Sequence, residues 1–358
     1  MQAPAKFPAS NPGRRRASYC LFSYSWVVPL LVLALYCSAV SAQNGVVLVG
    51  SGSSVPAPLF ARWTQEYGKR NPNIQMRYLP VGTSEGIKQI SHGAGDFGAG
   101  EAPLTDKARK EDGLIELPVV LIGIVPIYNL PTVHQDIRLS GEVLAEIFLG
   151  DMKTWNAPQI AKLNPGVNLP NLPIQVVNRP AGKGSNYVFT DFLSKASSRF
   201  RNQVGVSASP KWPVGASAER SSDMADKVKN SPGSIGYVEF QYAVKNGLAQ
   251  AAVLNPAGQF VKASKQSITA ACSGMEAPRW NNFSSSLSNA PGVASFPISS
   301  FSWVYLRTKS ADSVRAAELG NFLDWVYTEG QQFAGQEGYS ELPSPLLSAV
   351  RSKVKDLR

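Results

Sequence analysis

Residues 73–93 read NIQMRYLPVGTSEGIKQISHG. The first part reads as a strand and the last part as the start of a helix, with Ile87 and Ile90 on one face. Between them lies GTSEG, residues 82–86. A strand, a small polar turn and a helix is the repeating piece of an α/β fold. The same five residues have the G-x-S-x-G spacing of a serine-hydrolase nucleophile elbow, which would make Ser84 a nucleophile. The rest of the chain decides between a nucleophile and a loop with another task.

The strand–turn–helix unit recurs. GVVLVGSGSS ends a strand in a Gly/Ser turn, and PAPLFARWTQEYGKRNP follows as a helix. There Leu59, Trp63 and Tyr67 are spaced i, i+4, i+8, Pro56 and Pro58 suit the first turn, and Gly68 and Pro72 are expected to stop it. NLPIQVVNRPAGKGS is a strand ending in a third such turn, before the helix NYVFTDFLSKA. IELPVVLIGIVPIYNL is a continuous apolar run, as expected of a strand buried on both faces. SGEVLAEIFLG reads as a helix closed by Gly150, GSIGYVEFQYA as a strand entering a short helix, and FPISSFSWVYL as a strand. AAELGNFLDWVYTEGQQFAGQEG reads as a helix pair, and residues 273–295 as a loop. The alternation predicts an α/β architecture with mainly parallel pairing.

An elbow serine needs an acid and then a histidine downstream. The chain has two histidines: His92, eight residues after Ser84 on the same predicted helix, and His134 soon after, with no acid-then-His spacing and no HGGG-like segment. Hydrolase chemistry is excluded on these grounds, and no catalysis is expected. Two scattered histidines and one mature cysteine give no metal-ligand cluster, and no cofactor is expected. AGKGSN lacks the P-loop spacing.

The first 42 residues are read as a signal peptide: Arg14, Arg15 and Arg16, the apolar stretch WVVPLLVLALYCSAV and small residues closing at Ala42. The apolar run is short and broken by Pro29, which argues against a membrane span. Cys37 invites a lipoprotein reading, but Tyr36 stands where lipid processing needs a small residue. The expected location is therefore the periplasm. Removing 1–42 takes Lys6 and the three arginines and no acid, lowering the formal charge from +10 to +6. That mild excess suits an anionic ligand, and the absence of a dense basic stripe with interleaved aromatics excludes nucleic acid as a partner. Cys272, left alone, can form no internal disulfide and is expected to be a partly buried small residue. The 316 remaining residues exceed the usual size of one core, so two lobes are expected.

The turns at 50–58, 82–86 and 182–186 each offer N–H groups and hydroxyls at a helix N-terminus, which carries roughly half a positive charge and readily holds an anion. Three in one chain can converge on one cleft. Arg179, just before the third turn, can grip an oxyanion bidentately. Glu101 would repel an anion unless that anion carries a proton the carboxylate can accept. Lys183 could add a positive charge at the rim.

GSGSSVPAPLFARW, GTSEGIKQI, DFGAGEAPL, IFLGDMKTWN, KLNPG, GSIGYVEF and NFLDWVY, in that order, resemble the periplasmic phosphate-binding proteins of Pst-type ABC importers from about residue 46 to about 343. The resemblance implies a two-lobed periplasmic-binding-protein fold of type II with one phosphate in the cleft between the lobes. It also implies delivery of that phosphate to two permease subunits with cytoplasmic ATPase subunits, by a protein that is monomeric when free. By position it implies ligand contacts from the Ser54 hydroxyl, the Val55 N–H, Thr83, Glu101, Arg179, Lys183, Gly184 and Ser185. Thr83, rather than Ser84, is then the residue of GTSEG that faces the ligand.

Three positions depart from the family pattern. Glu101 replaces the aspartate that accepts the proton of hydrogen phosphate, Ala181 an aspartate that pairs with the arginine, and Lys183 a ligand-binding serine. The charge moves from one cation and two carboxylates to two cations and one carboxylate, which leaves discrimination against sulfate open. The expected lobes are 43–124 with 296–358, and 125–295, with a hinge near GIVPIYNL and FPISS. The alternatives are a binding protein for sulfate, arsenate or a phosphate ester, and a sensing or surface module.

Overall fold

The computed structural model describes residues 45–273 and 283–355. The expected signal peptide, part of the loop expected at 273–295, and the last three residues lie outside the described residues.

Among the described residues, eight strands form one sheet in the order β2 (Ile74–Leu79), β1 (Val46–Gly52), β3 (Phe97–Gly100), β11 (Ser299–Arg307), β4 (Leu114–Tyr128), β8 (Ser234–Glu239), β6 (Gln175–Asn178) and β7 (Ala216–Ser217). A small second sheet has the order β10 (Phe260–Val261), β9 (Ala252–Leu254), β5 (Arg138–Leu139). The expected parallel pairing holds at the two ends of the large sheet: β1 with β2 and β3, and β6 with β7 and β8. The expectation of mainly parallel pairing is corrected in the middle, where β3–β11, β11–β4 and β4–β8 are all antiparallel. The two long central strands show no apolar–polar alternation, as a parallel strand would not, because both are buried nearly throughout.

β4 organises the sheet. Leu114–Gly123 pairs with β11, and Ile124–Tyr128 pairs with β8, so the strand changes partner within one residue step. Two prolines interrupt its donors. At Pro118 the register slips and leaves Val119 without a partner on β11. The side chain of Gln331 repairs this bulge: its Nε2 donates to the Val119 carbonyl at 3.0 Å, and its Oε1 accepts from Leu342 N–H at 3.0 Å.

The first helix runs Ala57–Arg70, with Leu59, Trp63 and Tyr67 buried as the spacing predicts. It passes through Gly68, correcting the expected stop. A Cβ at Gly68 would meet nothing within 4 Å, so the position sits on open surface and the helix ends only before Pro72. Trp63 is wholly buried, its Nε1 donating to the Gly330 carbonyl at 2.8 Å, and Phe60 packs on Tyr78 and Phe97. A second aromatic cluster, Phe148, Phe189 and Tyr237, fills the core beside β8 and β6. Helix Gly141–Leu149 ends at Gly150 in the left-handed conformation, as expected. The expected C-terminal helix pair is one interrupted rod, Ser313–Trp325, a π-helical turn Val326–Gly330 and Gln331–Gln336, followed by a further helix Ser344–Lys355. Cys272 is buried in the core, more fully than expected, and burial pushes its thiol up to about 12.

Candidate oxyanion-binding site

The three turns do converge. Helix Thr83–Ser91 starts at the second residue of the GTSEG segment, with Gly82 N–H donating to the Gly52 carbonyl of the first turn at 2.7 Å. Helix Gly184–Ala196 starts at the third turn, and Ser84 N–H reaches across to the Gly182 carbonyl at 3.2 Å. Thr83 and Gly184 are thus both first residues of helices that begin side by side. Their first-turn N–H groups have no intrahelical acceptors, so two positive helix ends meet at one place.

Glu101 sits between them. It follows β3, is fully buried, and its carboxylate accepts from three hydroxyls: Ser302 at 2.9 Å, Thr83 at 3.3 Å, and Ser53. Burial drives its pKa up to about 7, opposed by these hydroxyl donors and reinforced by the nearby Glu239 carboxylate. A carboxylate that titrates near neutrality can take a proton from a ligand or give one back. Gly184 is packed so closely on it that a Cβ there would lie 2.0 Å from Glu101 Oε2 and 2.5 Å from Thr83 Oγ1.

Arg179 lies at the end of β6 with 2 % of its surface exposed. Among the described residues it forms no ion pair. Its Nη1 donates to Ser221 Oγ at 3.3 Å, and its Nε has no hydrogen-bond partner. A buried guanidinium left this way is costly unless an anion joins it. The backbone around it is held firmly. Arg179 N–H donates to Tyr237 Oη, Tyr237 Oη donates to Asn186 Oδ1, and Asn186 Nδ2 donates to the carbonyls of Arg179, Pro180 and Ala208. Trp212 Nε1 also donates to the Arg179 carbonyl.

Ser54 and Val55 line a cavity of about 950 Å³ whose other wall includes Ser221, Glu239 and Phe240. Ser54 is exposed there, whereas the buried hydroxyl of that turn belongs to Ser53, which also accepts from Val55 N–H at 3.1 Å. Ser185 is buried in the first turn of its helix. The Lys183 ammonium is turned onto Glu219 in an ion pair.

Thr83, Glu101 and Gly184 are therefore brought into contact, and Arg179 and Ser185 are buried on the same turn-and-helix unit as Gly184. Ser54 and Val55 stand along the neighbouring cavity wall. Lys183 lies in an ion pair with Glu219, whose side chain is largely exposed. Sequence reasoning did not find Ser53, Ser302, Ser221 or Glu239. Ser53 adjoins a residue that was singled out, and Glu239 lies within the GSIGYVEF segment, but Ser302 reaches Glu101 across 201 positions and carries no local signal.

Comparison with known proteins shows the family. The PBP superfamily domain model matches residues 39–329. The chain is 37 % identical over 309 residues to the phosphate-binding protein PstS of Haemophilus influenzae, covering 86 % of this chain and 92 % of that one. It is 34 % identical to the PstS of Pasteurella multocida over 91 % of this chain and 95 % of the other. The crystal structure of a phosphate-binding protein from Stenotrophomonas maltophilia superposes with a TM-score of 0.64 at 16 % identity, covering 86 % of this chain and 94 % of that chain. The fold is the type II fold of periplasmic binding proteins. On the strength of its sequence relatives, this chain belongs to the phosphate-binding protein PstS family within the PBP superfamily.

Proposed function

We propose that this protein captures inorganic phosphate outside the cytoplasm and delivers it to an ABC import complex, without transforming it. The observation that carries this reading is Arg179, a buried cation with no anion of its own, beside two helix N-termini and a carboxylate able to exchange a proton near neutrality. Hydrogen phosphate supplies both what Arg179 lacks and what Glu101 can accept. The contacts proposed are those expected from the sequence: Ser54, Val55, Thr83, Glu101, Arg179, Gly184 and Ser185. Lys183 is assigned a supporting position, its charge spent on Glu219.

The proposed lobes, 43–124 with 296–358 and 125–295, are supported by the change of partner along β4 at Gly123/Ile124. A strand shared in this way is a suitable hinge, and the contact of Thr83 and Glu101 with the third turn is the arrangement that closure would hold around the ligand. No helix among the described residues is long and apolar enough to cross a membrane. The basic and apolar N-terminal segment supports export to the periplasm, and a monomeric carrier docking on a two-subunit permease with ATPase subunits completes the reading. Addition of the purified protein to proteoliposomes holding such a permease and ATPase tests it. ATP-dependent phosphate uptake that requires this protein is expected, and unchanged uptake with and without it would contradict the delivery role.

A further inference from the structure

Arg179, Glu101 and Glu239 are buried ionisable groups of the site that form no ion pair among the described residues, and Glu101 is taken up by its three hydroxyl donors. The other charged groups around them are matched among the described residues: Lys183 with Glu219, Arg220 with Asp223, and Lys195 with Asp191. Glu239 ends β8, is 4 % exposed, and forms no ion pair among the described residues. It reaches Arg179 through one intermediary. Ser221, the first residue of helix Ser221–Asn230, donates from its hydroxyl to Glu239 Oε2 at 2.7 Å and accepts from Arg179 Nη1 at 3.3 Å. Because a hydroxyl has a single proton, giving it to the carboxylate turns the oxygen's lone pairs toward the guanidinium. The fork of Arg179 is thereby fixed at one end, and its remaining donors are left for a ligand.

We propose that Glu239, acting through Ser221, is a positioning residue that orients Arg179 for the bound anion. The inference rests on the phosphate reading given above. Two negative groups, Glu101 and Glu239, face one buried cation. Hydrogen phosphate and sulfate carry the same charge at pH 8, so the proton that hydrogen phosphate can donate to Glu101 is what separates them, while Glu239 acts on the aim of Arg179.

The test uses the full mature chain, freed of bound ligand by unfolding and refolding. Titration calorimetry with inorganic phosphate and with sulfate at pH 8 compares the unmodified chain with Ser221→Ala, Ser221→Thr and Glu239→Gln. Ser221→Ala is expected to weaken phosphate binding about tenfold, and Ser221→Thr, which keeps the hydroxyl, to restore most of it. Glu239→Gln keeps the shape and a hydrogen-bond acceptor but weakens its hold on the Ser221 proton, and phosphate affinity is expected to fall about threefold with the preference for phosphate over sulfate retained. Placing a carboxylate two residues from the arginine, Ala181→Asp on Ser221→Ala, is expected to recover phosphate affinity. If the unmodified chain binds phosphate while Ser221→Ala and Glu239→Gln leave both affinities unchanged, the role of Glu239 is overturned and the phosphate reading stands. If the unmodified chain does not bind phosphate, the reading beneath it falls as well. Should Glu239→Gln fail to fold, Ser221→Ala against Ser221→Thr decides, since Ser221 is only partly buried.

Discussion

The Cα of Gly184 lies directly against the Glu101 carboxylate, so that a Cβ would stand 2.0 Å from Oε2. Thr83 Oγ1, 2.5 Å from the same point, closes the other side. Glu101 is wholly buried and tied to Ser302 and Thr83, so it has nowhere to swing. Gly184→Ala is expected to block this approach while leaving each half of the chain intact. Phosphate affinity should fall about a hundredfold or more, with a much smaller change in melting temperature in the absence of ligand. Calorimetry and thermal melts on the same samples check it. A variant that binds phosphate normally would show that the contact is not part of the ligand-bound arrangement.

Glu101 carries a pH dependence whose sign is fixed. Burial raises its pKa from 4.5 to about 7 in the folded protein. The folded state therefore holds this proton more tightly than the unfolded chain, and the associated stability is present below about pH 4.5 and lost as the pH rises through about 7. For the ligand-free protein the loss is of the order of 3 kcal/mol, and Glu101→Gln should flatten it. Chemical denaturation from pH 5 to 8 measures both. The same proton bears on selectivity. A protonated Glu101 can donate to sulfate, so sulfate affinity is expected to rise as the pH falls through about 7, and calorimetry at pH 6 and pH 8 checks it.

Lys183 is bound to Glu219 and so contributes little net charge to the ligand. Lys183→Ala is expected to change phosphate affinity by less than about threefold and to leave the phosphate-to-sulfate preference where it was. A clear gain in selectivity in this variant would mean that the ammonium reaches the ligand after all.

Trp63 anchors the first helix through a buried hydrogen bond to the Gly330 carbonyl. Trp63→Phe keeps a ring but leaves that carbonyl without its donor, and is expected to cost about 1–3 kcal/mol with phosphate affinity nearly unchanged. Denaturant melts alongside a phosphate titration separate the two effects.

Much of this site can be read from the chain because its parts are local. A turn of small polar residues between a strand and a helix declares itself in five letters, and GTSEG, GSGSS and GKGSN all proved to begin or adjoin helices at one place. What could not be read depends on partners far away in sequence. Ser302 and Glu101 are 201 positions apart, and Lys183 and Glu219 are 36 apart. No spacing rule selects such pairs. The antiparallel centre of the sheet was hidden for a different reason: β4 and β11 are buried on both faces, and burial erases the alternation that distinguishes them from parallel strands. Gly68 was misjudged because an exposed glycine in a helix costs only about 1 kcal/mol, which fourteen residues with a buried aromatic face readily absorb.

The central claim is that the buried Arg179 site holds phosphate and refuses sulfate. Titration of the ligand-stripped mature chain at pH 8 with phosphate, and separately with sulfate, tests it most directly. The account predicts tight, one-to-one heat for phosphate and none for sulfate, with phosphate binding lost in Arg179→Ala. Heat for sulfate equal to that for phosphate, or none for phosphate, would contradict it.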